Sequence, residues 1–143
     1  NDIITFFGNK GEIVINTRLI TFDSGFEISG SKNSELLLEY FSIIRKYNLQ
    51  NLDLIEIFYK AQIENNQNKI DSVNDQLENL IKRKYLYSLN FAITNSSNEV
   101  SPYIAVSQIP DANRDLLKKL YDTLPEDIKS SKYGKILNNL TID

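Results

Sequence analysis

The sequence predicts an α+β fold that is mostly α, with a small antiparallel β segment at the N-terminus followed by a long helical hairpin and short C-terminal helices. Three observations carry this prediction. Residues 1–30 hold short β-branched and aromatic runs separated by glycines. From Ser31 onward, apolar residues recur at spacings of three and four. Asn/Ser clusters and prolines then cut that helical pattern into pieces.

In chain order, Ile3-Ile4-Thr5-Phe6-Phe7 is a β-rich run, Gly8-Asn9-Lys10-Gly11 a turn, and Glu12-Ile13-Val14-Ile15-Asn16-Thr17 a second run, so a hairpin is expected here. Leu19-Ile20-Thr21-Phe22 reads as a third strand, and Asp23-Ser24-Gly25 turns the chain into Phe26-Glu27-Ile28-Ser29, which Gly30 closes. A few short strands are marginal alone, so this piece must pack on helices or on further strands.

Ser31 or Asn33 can cap the first helix, with Glu35 in its first turn, where a negative charge suits the dipole. Leu37, Tyr40 or Phe41, Ile44 and Tyr47 follow at helical spacing. Residues 48–51 read as a turn, and a second helical pattern starts near Leu52 with Ile55, Phe58 and Ala61. The polar stretch Glu64-Asn65-Asn66-Gln67-Asn68 reads as the exposed part of one long helix or as a helix–helix turn; continuity, with room for a break, is the favoured reading. Ile70, Val73, Leu77 and Leu80 form a seam at 3-4-3 spacing, widened by Ile81, Tyr85 and Leu89. Two heptads fall short of a dimeric coiled coil, so an intramolecular helical hairpin is the preferred explanation of the seam. Residues 95–98 break the helix, and Pro102 sits where the first turn of the next one tolerates it. Residues 109–113 end that helix. Leu116, Leu117, Leu120 and Leu124 mark another, Pro125 starts a turn over 126–130, and Ser131 caps a last helix marked by Tyr133, Ile136, Leu137 and Leu140.

The chain has 143 residues, which suits a single domain, 1–143, with 1–30 as the β-rich part and 31–143 as the helical part. Its net charge is −3, from 16 basic and 19 acidic residues, so nothing in the balance attracts nucleic acid or an anionic membrane surface. Cys, His and Met are all absent. Without Cys there is no disulfide, thiolate nucleophile or Cys-type metal site, and without His the usual general base and commonest metal ligand is missing. Without Met at position 1, the chain is expected to be a processed or excised piece of a longer protein. No signal peptide is recognised, and no apolar run approaches the roughly 20 residues that cross a bilayer.

Carboxylates are the remaining acid–base material. Asp71 and Asp75 fall at i, i+4 on one helix face with Glu78 on a neighbouring one, a grouping from which a divalent-metal site could be drawn. A solvated outer face opposite the apolar seam explains them better. Asp111, Asp115 and Asp122 invite the same suggestion and the same answer, since Asp111 and Asp115 lie around a helix start. The Gly8–Gly11 turn lacks the spacing and the Lys-Ser/Thr end of a phosphate loop. The eight tyrosines fall mostly beside aliphatic residues and read as core edge before partner surface. Lys82-Arg83-Lys84 reads as a helix face. Gly134 inside a helical pattern costs about 1 kcal/mol relative to Ala, which a close approach of another helix or room for a further domain would offset; close packing within the chain is the simpler explanation. No catalytic, cofactor-binding or metal-ligating residue is assigned.

Several ordered segments have a specific look. Residues 85–95 (Tyr85-Leu86-Tyr87-Ser88-Leu89-Asn90-Phe91) run into Asn98-Glu99-Val100-Ser101-Pro102-Tyr103-Ile104-Ala105, then Pro110-Asp111-Ala112-Asn113, and finally Leu124-Pro125-Glu126-Asp127-Ile128 through Lys135. This pattern resembles the N-terminal domain of envelope thiol–disulfide oxidoreductases of the TlpA/ResA kind from Bacteroides-like bacteria. In that family a segment similar to residues 95–105 ends a long helix, and one similar to 129–140 precedes the linker into a thioredoxin-like domain. Residues 11–16 look like the family's last sheet strands, and residues 26–40, with Gly30-Ser31-Lys32-Asn33, like its transition into the helices. The resemblance implies a non-catalytic accessory domain in the bacterial cell envelope or periplasm. A thioredoxin-like domain with its Cys-x-x-Cys is expected downstream on the same parent chain, as intramolecular partner, and a protein client is a further expected partner. Thiol–disulfide exchange needs a thiolate, so the parent's redox function attaches to no residue here. The alternative is a stand-alone interaction or oligomerisation module, suggested by the Ile70–Leu80 seam and the tyrosines. A carboxylate-based hydrolase would need two carboxylates converging in a pocket, which helix-face Asp and Glu do not predict.

Overall fold

The computed structural model describes residues 3–8, 10–18, 20 and 25–142. Among these, two short strands, β1 (Val14–Asn16) and β2 (Glu27–Ser29), form an antiparallel pair with Ile15 opposite Ile28. Six helices follow: α1 (Lys32–Ile63), α2 (Gln67–Thr94), α3 (Val100–Gln108), α4 (Arg114–Thr123), α5 (Glu126–Ser130) and α6 (Lys132–Thr141). The fold is mostly α with a small antiparallel β part, as the periodicity predicts.

The predicted hairpin between residues 3–7 and 12–17 does not form, because β1 pairs with β2 instead. The reason lies at Phe7. Its backbone N–H donates to Ser34 Oγ at 2.9 Å and its carbonyl accepts from the same hydroxyl at 3.2 Å. A backbone held on the first turn of α1 has no groups left there for a ladder. Leu19, Thr21 and Phe22 of the expected third strand, Asn9 of the first turn, and Asp23 and Ser24 of the second lie outside the described residues. Gly30 links β2 to α1 at φ 87°, and a Cβ there would overlap the Glu12 carbonyl oxygen.

Of the two candidate caps for α1, Ser31 fills the role, accepting from Ser34 N at 3.3 Å. Asn33 caps a different helix, its Oδ1 accepting from Val100 N at 2.9 Å where α3 begins without a side-chain cap of its own. The predicted turn at 48–51 is absent, and α1 runs through it unbroken. Asn and Gln disfavour a helix by only a few tenths of a kcal/mol each. Tyr47 and Leu54, on either side, both pack on the hairpin's apolar seam, and Lys84 Nζ donates to Asn48 Oδ1 at 2.9 Å from the facing helix.

The favoured continuity through 64–68 gives way to a turn. Asn65 N–H donates to Gln62 O at 3.1 Å and Asn66 N–H to Ala61 O at 3.0 Å, a Schellman closure with Asn65 at φ 51°. Asn tolerates that left-handed position, and the Asn66 side chain then caps α2 by accepting from Lys69 N at 3.2 Å. Two adjacent asparagines therefore stop one helix and start the next. Residues 126–130, read as a turn, form the short helix α5.

The apolar residues gather in two places. The main core joins all six helices around Leu37, Tyr40, Ile104, Leu117, Leu120 and Leu137, each essentially inaccessible to solvent. A smaller distal cluster of Leu54, Val73 and Leu80 lies farther along the α1–α2 hairpin, with Tyr47, Phe58 and Leu77 against it. The seam residues Val73 and Leu80 are thus consumed within the chain. Ile81, expected to widen that seam, is instead 64% exposed. It is adjacent to Leu80 in sequence, and one helical step of about 100° turns it off the buried face.

Candidate functional site

An open cleft of about 470 Å³ lies between the N-terminal segment and the outer side of α1. Ile3, Phe26, Leu38 and Phe41 give it apolar walls, and Ser42 and Arg45 lie on its α1 side. The Ser42 hydroxyl donates to the Glu39 carbonyl at 2.7 Å, the ordinary backbonding of a helical serine, and no carboxylate or imidazole lines the cleft to activate it. The lining suits contact with an apolar group and supplies no acid–base pair.

A second cleft, about 320 Å³, lies where α2 meets the end of α3, with Ile81, Tyr85, Ile109 and Pro110 among its walls and Asp111 at its edge. Asp111 is exposed, as are Asp115 and Asp122. Asn113 caps α4 by accepting from Asp115 N at 2.8 Å, which places Asp115 in the first turn and explains it by the helix dipole. Asp71 and Asp75 lie on the solvent side of α2. Asp71 accepts from Gln67 Nε2 at 2.8 Å, and Glu78 pairs with Lys82 at 3.5 Å. Among the described residues no group of three or more Asp, Glu, His or Cys is placed to hold a metal ion.

The tyrosines divide as their surroundings dictate. Tyr40 is fully buried, Tyr59 is exposed, and the other six are half-buried. Tyr40, Tyr87 and Phe91 form one ring cluster, with Tyr40 and Tyr87 stacked at 5.7 Å between centroids and Tyr40 and Phe91 tilted at 5.3 Å. The Tyr40 hydroxyl lies 2.7 Å from Ser88 Oγ, and Ser88 in turn donates to the Lys84 carbonyl at 3.0 Å. Since the serine has one proton, Tyr40 is the donor in the first bond. Burial pushes the Tyr40 phenol up. Burial also drives Tyr87 up to about 12, helped by the charges of Glu39, Tyr40 and Tyr47. Phenols tuned this way stay protonated near neutrality and cannot act as bases.

A second ring cluster, which periodicity could not reveal, joins Phe7, Tyr103 and Tyr133: Phe7 and Tyr103 meet edge-on at 5.3 Å, Tyr103 and Tyr133 at 4.9 Å. The buried serines are structural. Ser101 Oγ donates to Ala92 O at 2.7 Å, fastening α3 to α2, and Ser31 and Ser34 hold Phe7. No buried side-chain nitrogen or oxygen among the described residues lacks a partner.

Of the basic run 82–84, Lys82 pairs with Glu78, Arg83 stands 5.8 Å over the Tyr47 ring, and Lys84 bonds Asn48. Its charges are thus tied to the hairpin, consistent with a helix face. No helix of the described residues is long and apolar enough to cross a membrane. The chain contains no cysteine, so no thiolate chemistry resides in it. Comparison with protein-family models, with curated protein sequences and with solved structures finds no match.

Proposed function

We propose that this chain is a non-catalytic accessory or scaffolding domain of a bacterial cell-envelope thiol–disulfide oxidoreductase. It positions a thioredoxin-like domain of the same parent chain or contacts that domain's protein clients. The observation that carries this reading is the set of ordered segments, at 85–105, 110–113 and 124–135, that resemble the N-terminal domain of such enzymes, in a chain with neither Cys nor His. A supporting feature is that those segments supply much of one core: Leu89, Phe91, Ala92, Val100, Ile104, Leu124 and Ile128 all belong to the main cluster. The pattern therefore encodes a packing unit and needs no reactive side chain.

Two measurements test the proposal. The purified chain is expected to give no turnover in an insulin-disulfide reduction assay; turnover overturns the non-catalytic role. The reading frame on both sides is expected to encode a lipoprotein or export signal upstream and a Cys-x-x-Cys thioredoxin pattern downstream. A native gene ending at Asp143 with no redox domain removes the basis of the proposed role and leaves the alternative, a stand-alone interaction module.

A further inference from the structure

On the side of α1 turned away from α2, Leu49, Leu52, Tyr59 and Ile63 are 57%, 61%, 60% and 82% exposed. With Glu56 they follow a 3-4-3-4 spacing, the a and d positions of a heptad, with a at 49, 56 and 63 and d at 52 and 59. This seam is separate from the one on α2, which Leu54 already covers. Four large apolar side chains thus share one exposed face of the helix, the kind of patch that marks an interaction site.

We infer that this face binds a second copy of the same chain, α1 against α1 and antiparallel, in a weak two-fold dimer. The flanking charges decide both the partner and the register. In an antiparallel pair, a layers meet d layers, and e positions face e positions. The e positions here are Lys46, Asp53 and Lys60. If Leu52 meets the second copy's Ile63 and Glu56 its Tyr59, Leu49 lies at the rim, beyond the end of the other copy's α1, and Asp53 faces Lys60 of the other copy, twice by symmetry. The same register sets a carboxylate against a phenol hydroxyl, a hydrogen-bonding pair. Slipping by one heptad sets Asp53 against Asp53 and Lys46 against Lys60, both repulsive. A parallel pairing sets Glu56 against Glu56. Only one of these arrangements satisfies its charges, and it is self-complementary, as an isologous interface requires.

Lys60 already pairs with Glu56 of its own helix, both largely exposed, so the lysine exchanges one surface carboxylate for another, while Glu56 gives up that cation for the Tyr59 hydroxyl, which keeps the association weak. The seam is short, spanning the distal half of α1, so the association is concentration-dependent.

Sedimentation velocity on the full chain from about 10 µM to about 1 mM is expected to show a reversible monomer–dimer equilibrium. Leu52→Lys should abolish the dimer while leaving the far-UV circular dichroism unchanged, since the residue is exposed. Asp53→Lys and Lys60→Asp should each weaken self-association by about tenfold. The doubly exchanged chain should recover it, and a mixture of the two single variants should form heterodimers. A monomer at every concentration overturns the inference, as does a dimer indifferent to Leu52→Lys or to the charge exchange. None of these outcomes bears on whether the chain has redox activity.

Discussion

At the scale of single residues, close approaches and buried polar bonds decide what each position tolerates. Gly134 sits in the first turn of α6, where a Cβ would overlap the Ile128 carbonyl oxygen and come within 2.6 Å of that of Lys129. The obstructing atoms are backbone, so no rotamer change relieves them. In an open helix, Gly→Ala gains about 1 kcal/mol. Here Gly134→Ala is expected to destabilise the fold by about 1–3 kcal/mol, the usual cost of overpacking. Urea unfolding checks this, and a midpoint that rises would contradict the steric account. The tyrosine cluster makes a second residue-scale prediction, with a definite sign. Tyr87 titrates near 12 in the fold, raised by burial above the ordinary value near 10. A phenol whose pKa rises on folding favours the fold fully below its unfolded pKa, and that contribution is lost as pH climbs through the folded value. Stability should therefore fall between about pH 10 and 12, in step with phenolate absorbance. Tyr87→Phe should flatten part of the decline.

At the scale of elements, the turn at 64–66 shows how a helix can end without glycine or proline. Asn65 occupies φ 51°, and the hydrogen bonds around it close α1 before Asn66 opens α2. A β-branched residue cannot hold that conformation cheaply, so Asn65→Val is expected to cost about 1–2 kcal/mol. Asn65→Gly should be neutral or mildly stabilising. Thermal melts should place Asn65→Val below the parent and Asn65→Gly at or above it, and equal Tm values for the two variants would remove the left-handed residue from the explanation. The same residues mark what could be read in advance. Helical spacing located most of the seam on α2, Ser31 as one of two candidate caps, the break at 95–98 and the cap at Ser131, because each is a local signal. The hairpin turn and the continuity of α1 through Asn48–Asn51 were not legible, because both stretches are Asn-rich with similar propensities. Tertiary partners decide between them: the Lys84–Asn48 bond and the packing of Tyr47 and Leu54 at one site, a cap for the next helix at the other. The β register failed for a related reason. Ser34, 27 positions away, takes the Phe7 backbone groups that a hairpin would have used.

At the scale of the whole molecule, the two apolar clusters make the chain a packed body with an arm. The absence of Cys and His could be read directly from the sequence, whereas the clefts, the Phe7–Tyr103–Tyr133 cluster and the outward stripe on α1 needed three-dimensional placement. That stripe rides on the arm, where the buried apolar residues are Leu54, Ala61, Val73 and Leu80, while the main core draws on all six helices. A region with few buried contacts opens at lower free energy than the global transition. Leu54→Ala removes roughly 2–5 kcal/mol of packing from the smaller cluster. It is therefore expected to speed amide exchange across residues 49–80 while leaving the amides around Ile104 and Leu117 nearly as protected as before. Leu117→Ala, made in the main core, should weaken protection throughout, since the arm has no independent support once α1 and α2 lose their base. Hydrogen exchange read by mass spectrometry distinguishes the two patterns. If Leu54→Ala lowered protection uniformly, arm and body would form one cooperative unit, and a partner docking on the outer face of α1 would stabilise the whole chain. If the arm opens by itself, such docking protects the arm first, and its amides become the most sensitive report of any partner that binds there.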